Sequence, residues 1–107
     1  VFHLSFLMKL SRYLGFGLNS GDSIYNYFDL KQMTGKKLKP IHNLYVSGKV
    51  FGQLFTLYET GYNELSQIHF TVSERNQLLE TVIQIYELHA INFNTLKSFE
   101  ILKAVFN

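Results

Sequence analysis

Apolar side chains recur at three- and four-residue intervals in several stretches of the chain, which is the spacing of one buried face of an α-helix. The first stretch runs from Val1 to Leu14 and stops at Gly15, because glycine readily takes the left-handed conformation that ends a helix. A second stretch follows Ser47, a residue suited to cap a helix, and continues to Gly61. These spacings predict two helices, each with one buried face.

The clearest helix signal begins at Thr71. Thr71 and Glu74 have the three-residue spacing of a capping box, in which each residue satisfies a backbone N–H of the other. Apolar residues then follow at helical spacing as far as His89. A shorter helix is predicted within residues 63–68, and a last one after Ser98, which can cap it.

Residues 25–40 lack the helical spacing. Their aromatic-rich start favours a short extended segment or an irregular loop. A turn at Thr34-Gly35 and the proline at Pro40 then favour a small exposed hairpin or loop. The predicted fold class is therefore mostly α: a small bundle of about five helices with one irregular loop or short hairpin around residues 25–40.

The composition is that of one folded domain. The chain has 107 residues, of which 47% are hydrophobic, with ten Phe and seven Tyr to build a core. It contains no cysteine, which excludes disulfides and cysteine-ligated zinc. The chain begins with Val1 rather than Met, so we expect residues 1–107 to be a single domain from a longer protein. No stretch is long and apolar enough to predict a membrane-spanning helix.

Catalytic and metal chemistry is not predicted. The four histidines, His3, His42, His69 and His89, lie in separate elements without the three- or four-residue spacing of helical metal ligands. His89 is expected to hydrogen-bond a backbone group at its helix end, and the other three are expected to be exposed. The carboxylates are scattered, and no nucleophile motif is present. We therefore expect no metal, no cofactor and no enzymatic activity.

Basic residues are concentrated in one segment although the net charge is only +2. Four of the ten basic residues, Lys31, Lys36, Lys37 and Lys39, lie within residues 31–40. Lysines on a loop beside aromatic rings can contact phosphates while the rings stack on bases. A solvated loop that keeps the protein soluble explains the same charges equally well.

The aromatic excess also has two interpretations. Most of these rings are expected to fill the core. Some could instead line a groove for an apolar peptide segment, and a neighbouring Lys or Arg could then hold a terminal carboxylate. A helical bundle with a purely structural or dimerisation role is the alternative function.

Several short motifs resemble, in their order and spacing, the carboxy-terminal helical domain of the RecO family of DNA-repair recombination mediators. They are Leu10-Ser11-Arg12-Tyr13-Leu14-Gly15-Phe16, Tyr27-Phe28-Asp29-Leu30, Pro40 with His42, Arg75, Tyr86-Glu87-Leu88-His89, Leu96-Lys97-Ser98 and Ile101-Leu102. The resemblance covers nearly the whole chain.

The resemblance implies a longer protein with an amino-terminal OB-fold before this domain. Such proteins act in the bacterial cytoplasm, associated with the nucleoid. With a RecR-type partner they bring the recombinase onto single strands coated by single-stranded-DNA-binding protein, and they anneal complementary strands. The main DNA site is then expected on the OB-fold, so this domain should bind DNA weakly and should have no membrane partner.

The resemblance also suggests a docking site. In the family, the helical domain receives the acidic, apolar-ended tail of the single-stranded-DNA-binding protein. Arg12, Arg75 and Lys97 are the candidates here for the basic rim of that groove, with Lys97 preferred because it lies in the matching Leu96-Lys97-Ser98 motif. Some family members carry a four-cysteine zinc site in the stretch that corresponds to residues 29–45. That stretch has no cysteine here, so zinc is not expected. We expect the loop to be held by apolar packing of Tyr27, Phe28, Leu30, Leu38 and Leu44.

Overall fold

The computed structural model describes residues 2–19, 21 and 25–89. In chain order the elements are helix α1 (Phe2–Leu14), strands β1 (Tyr27–Asp29), β2 (Thr34–Lys36) and β3 (Tyr45–Ser47), helix α2 (Gly48–Glu59), a 3₁₀ helix (Tyr62–Gln67) and helix α3 (Val72–His89). The helix predicted after Ser98 lies outside the described residues.

The three strands form an antiparallel sheet in the order β2-β1-β3, so the described part of the chain is an α+β fold and the prediction of a mostly α bundle is wrong. Each strand is three residues long, which is too short for an alternating pattern to stand out in the sequence. The turn between β1 and β2 occupies residues 30–33. Thr34 and Gly35, where the turn was predicted, lie inside β2.

The main helix boundaries agree with their local signals. α1 ends at Leu14, Gly15 takes a φ of 95° and the N–H of Phe16 donates to Ser11 O at 3.0 Å. The side chain of Ser47 caps α2 by accepting a hydrogen bond from the N–H of Val50. The segment predicted as a short helix within residues 63–68 is the 3₁₀ helix.

One face of the sheet packs against α2 and begins the core. Phe28 in the central strand β1 is paired with Gly35 of β2 and with Val46 of β3. Its ring is fully buried and lies 4.9 Å, centroid to centroid, from Phe51 of α2. On the other side of the core, the hydroxyl of Tyr86 in α3 donates to the backbone O of Leu7 in α1 at 2.5 Å. Sheet and helices therefore share one core.

The apolar residues that were expected to hold the loop behave differently from one another. Phe28 and Leu30 are fully buried, and Tyr27 and Leu44 are partly buried. The prediction is wrong for Leu38, which is 78% exposed because it lies in the connection between β2 and β3, away from the core. No helix in the described part of the chain has the length and apolar character needed to cross a membrane.

Candidate functional site

The four lysines of residues 31–40 belong to the sheet and its loops. Lys31 lies in the β1–β2 turn, Lys36 is the last residue of β2, and Lys37 and Lys39 lie in the connection to β3. Lys36 is partly buried and the other three are exposed. The backbone there is fixed to the strand before it, since Asn26 donates from its N–H to Lys36 O at 3.0 Å and from its side chain to Lys37 O at 3.3 Å.

The charge around these lysines is one-sided. Residues 30–58 contain five lysines and no Asp or Glu. The acidic residue just before this range, Asp29, is only 3% exposed and is occupied by hydrogen bonds. The sheet edge therefore presents positive charge without a neighbouring carboxylate in the same segment, a condition that favours contact with anions.

Asp29 and His42 form a hydrogen-bonded clamp across the lysine segment. The carboxylate of Asp29 accepts hydrogen bonds from the N–H of Lys31 at 2.9 Å and of Gln32 at 3.1 Å, and it lies 3.1 Å from His42 Nε2. The other ring nitrogen of His42 accepts from the N–H of Leu44 at 3.0 Å. A neutral imidazole with an acceptor at Nδ1 carries its proton on Nε2, so His42 donates to Asp29.

The prediction that His42 is exposed is therefore wrong. The clamp ties together residues 29 to 44. In the part of the chain that the structure describes, no group of three or more His, Cys, Asp or Glu side chains could hold a metal ion. One part of the clamp was visible in the sequence, since an Asp that begins a turn often accepts from the N–H groups that follow it. The partner His42 was not, because thirteen residues separate the two.

His89 joins the end of α3 to the same region. Its Nε2 donates to the backbone O of Leu30 at 2.6 Å, which confirms the predicted bond to a backbone group. The imidazole also stacks on Phe16, with centroids 5.5 Å apart and ring planes 16° apart. His89 thus has a structural role in linking α3 to the β1–β2 turn.

Arg75 lies at a pocket between the 3₁₀ helix and the start of α3, which we call the Arg75 pocket. The pocket has a volume of about 350 Å³ and is lined by Leu65, Ser66, Ile68, His69, Phe70 and Arg75. Its volume is at the lower end of the range for small-ligand sites. The pocket is open to solvent and its lining is mixed, with three apolar and three polar residues, so it can contact an apolar group that carries an anion.

The other predicted rim residues are placed elsewhere. Arg12 does not line the Arg75 pocket: its Nε donates to the hydroxyl of Tyr58 at 3.0 Å, and its guanidinium carbon lies 4.7 Å from the centroid of that ring. The hydrogen bond with Tyr58 raises the pKa of Arg12, so the side chain acts as a charged tie between α1 and α2. Lys97 lies outside the described residues.

Curated proteins described as DNA repair protein RecO match the chain over almost its whole length. The one from Bacteroides fragilis (strain ATCC 25285) is 34% identical over 108 residues, which cover 99% of this chain and 45% of the relative. Those from Azobacteroides pseudotrichonymphae and Christiangramia forsetii are 32% and 30% identical, over 99% and 98% of this chain and 44% of each relative.

These matches support a relationship between this chain and the RecO family. The chain spans less than half the length of the RecO proteins that it matches. No protein-family model matches it, and no solved structure matches it. The similarity to RecO therefore rests on sequence comparison over almost the whole of this chain and less than half of each relative.

Proposed function

We propose that this chain is part of a RecO-like protein of recombinational DNA repair and acts in it as a non-catalytic interaction module. The observation that carries this proposal is the similarity to DNA repair protein RecO over 99% of the chain. In the proposal, the module corresponds to the carboxy-terminal domain and works in the bacterial cytoplasm at the nucleoid. It supports the loading of recombinase and strand annealing together with an OB-fold and a RecR-type partner.

The Arg75 pocket is the proposed docking site for the tail of the single-stranded-DNA-binding protein. Leu65, Ile68 and Phe70 supply apolar walls, and Arg75 supplies a cation beside them. An acidic peptide that ends in an apolar aromatic residue would bury its last side chain between these walls. Its terminal carboxylate would then pair with the guanidinium, which can form two parallel hydrogen bonds. Arg12 is not part of this site, because it does not line the Arg75 pocket.

The lysines Lys31, Lys36, Lys37 and Lys39 are proposed to add DNA contacts to those of the remaining protein. Three of them are exposed, and residues 30–58 carry no acidic residue. Contacts of this kind are made with phosphates, so they depend strongly on salt and carry no sequence preference. We rank this contribution below the docking of the protein tail.

Titration of the chain with a fluorescent acidic peptide ending in Phe tests the docking. Saturable binding at low salt is expected, and Arg75→Ala should weaken it about tenfold or more, since a hydrogen-bonded charge pair is lost. Lys31→Ala is the matched control, because it removes the same charge outside the pocket. It should leave the affinity within about twofold.

A second peptide with an amidated carboxyl end distinguishes the ion pair between the terminal carboxylate and Arg75 from non-specific electrostatic attraction. It should bind the unmodified chain as weakly as the free-acid peptide binds Arg75→Ala, and Arg75→Ala should weaken it little further. Equal losses for Arg75→Ala and Lys31→Ala, or no saturable binding at low salt, would contradict the docking proposal.

A further inference from the structure

The two faces of the sheet carry different chemistry. Phe28, Gly35 and Val46 are paired across the three strands and face α2. Because successive side chains in a strand point to opposite faces, Tyr27 and Tyr45 lie on the face away from α2. Tyr27 is paired with Lys36 of β2 and Ser47 of β3.

Two tyrosine rings meet on this outer face. Their centroids lie 5.6 Å apart and their planes are at 85°, the edge-to-face arrangement of an aromatic pair. Both residues are partly exposed. Lys36 lies directly across from Tyr27, and Lys39 Nζ lies 5.6 Å from the centroid of the Tyr45 ring. We call Tyr27, Lys36, Lys39 and Tyr45 the tyrosine platform.

The sheet contributes one negative charge to this face, the carboxylate of Asp29, which is paired across the strands with Tyr45. The hydrogen bond with Tyr45 raises the pKa of Lys39, so its ammonium group stays charged at neutral pH. Asp29 is the acidic residue of the three strands. Its carboxylate is buried and takes its hydrogen bonds from two backbone amides and His42. Lys39 already contacts the Tyr45 ring, but its exposed ammonium keeps further N–H donors for a phosphate, as does Lys36.

We propose that the tyrosine platform binds single-stranded DNA, with an unpaired base stacked on a tyrosine ring and the neighbouring phosphates on Lys36 and Lys39. This inference rests on the proposed role in DNA repair and deepens it, since it assigns the DNA contact to rings as well as lysines. Aromatic rings flanked by cations match a chain that alternates flat bases with phosphates. A base paired within a duplex could not reach the rings, because its faces are covered by stacking.

An introduced tryptophan would report base stacking directly. The chain has no Trp, so Tyr45→Trp places a single indole on the platform. Oligothymidylate of about ten nucleotides, within the usual site size for such surfaces, should quench its fluorescence as it saturates the chain. Tyr13→Trp is the matched control, because Tyr13 is 85% exposed on α1, and its emission should change little.

The affinity for the same oligonucleotide, measured by fluorescence anisotropy, should depend on an aromatic ring at position 45. Tyr45→Ala should weaken binding about fivefold to a hundredfold, the range for loss of one stacked base, whereas Tyr45→Phe and Tyr13→Ala should leave it near the original value. Lys39→Ala should reduce the salt slope by about 0.7, the value for one phosphate contact in a single strand. Urea unfolding of each variant verifies that it is folded, and the quenching of Tyr45→Trp and the salt slope of Lys39→Ala keep the test valid if Tyr45→Ala is not folded.

Three results would overturn the proposal. The first is saturating DNA that leaves the emission of Tyr45→Trp unchanged. The second is tighter binding of oligouridylate, which would make RNA the ligand. The third is quenching of Tyr45→Trp by the acidic Phe-ended peptide and not by DNA, which would make the platform a protein contact. If the unmodified chain binds the peptide at Arg75 but does not bind DNA, the platform alone is rejected. If it binds DNA but does not bind the peptide, the docking function alone is rejected.

Discussion

At the scale of single residues, one carboxylate organises the lysine segment. Asp29 is 3% exposed and accepts from the N–H groups of Lys31 and Gln32 and from His42. These hydrogen bonds are partly buried, so the loss of their acceptor would leave donors that water reaches only in part. The clamp fixes both ends of the segment that carries the lysines, so it also determines where their charges are presented.

Asp29→Ala is expected to lower the free energy of unfolding by about 1–3 kcal/mol, because it leaves partly buried donors without an acceptor. Urea unfolding followed by circular dichroism measures the change. Glu80→Ala, an exposed acidic residue on α3, is the matched control and should change stability by less than about 0.5 kcal/mol. A loss for Asp29→Ala no larger than that of the control would show that the clamp does not stabilise the fold.

At the scale of elements, the beginning of α3 is fixed by a capping box that also reaches α2. The N–H of Thr71 donates to the carboxylate of Glu74 at 2.9 Å, and the N–H of Glu74 donates to Thr71 Oγ1 at 3.0 Å. The same carboxylate accepts from the side chain of Gln53 at 2.8 Å and lies 3.5 Å from Lys49 Nζ. This confirms the capping box predicted from the spacing of Thr71 and Glu74, and it adds a contact between helices that the spacing did not reveal.

Stability should depend on pH through Glu74. The backbone N–H of Thr71, more than the nearby Lys49, holds the pKa of Glu74 below its usual value. A carboxyl whose pKa is lowered on folding stabilises the fold above its unfolded pKa of about 4.3, and the contribution is lost as pH falls through the lower folded pKa. Glu74→Gln keeps a capping side chain without the charge, so it should be less stable than the unmodified chain at pH 7 and equally stable in strong acid.

Thermal unfolding of both proteins between pH 7 and pH 2 gives this comparison. Lys49→Met serves as the control, because it removes the ion pair and keeps the capping box. With Lys49→Met as the background, Glu74→Gln should still produce a pH-dependent difference, although a smaller one. A difference that disappears in this background would assign the effect to the ion pair instead of the cap.

At the scale of the whole molecule, the ring of Phe51 joins the sheet to the helical core. Its centroid lies 4.9 Å from that of Phe28 in β1, 4.8 Å from Tyr25 and 5.9 Å from Phe55. A Cβ added at Gly35 would lie 3.1 Å from this ring, so β2 also packs closely on it. The sheet that carries the lysines is therefore held in place through α2.

Phe51→Ala is expected to destabilise the whole described fold by about 3–5 kcal/mol, as for other buried aromatic residues, because it removes the apolar contact and leaves a cavity. Phe2→Ala is the matched control, since Phe2 is 55% exposed, and it should cost less than about 1 kcal/mol. Urea unfolding followed in the near and far ultraviolet measures both. Loss of near-ultraviolet signal alone for Phe51→Ala would show that secondary structure survives without the fixed packing around this ring, which would contradict unfolding of the whole described fold.

The sequence by itself determined the helices and their ends. Gly15, Ser47 and the Thr71–Glu74 pair act within a few residues of their own position, through backbone conformation and capping bonds, so their effect can be deduced from spacing. The concentration of lysines between Lys31 and Lys39 is likewise read directly from the sequence. These signals could not predict that a sheet packs against the helices, because helical spacing shows which side of a helix is buried and not what covers it.

Tertiary structure decided the sheet and the surfaces. Strands of three residues have too few positions to show an alternating pattern, and they exist because Phe28 and its cross-strand neighbours pack on α2. The Arg75 pocket is built locally, from residues between 65 and 75. The pairing of Asp29 with His42 and the meeting of Tyr27 with Tyr45 instead join residues that are well separated in sequence. Contacts of this kind depend on how the chain returns on itself, and local spacing carries no information about that return.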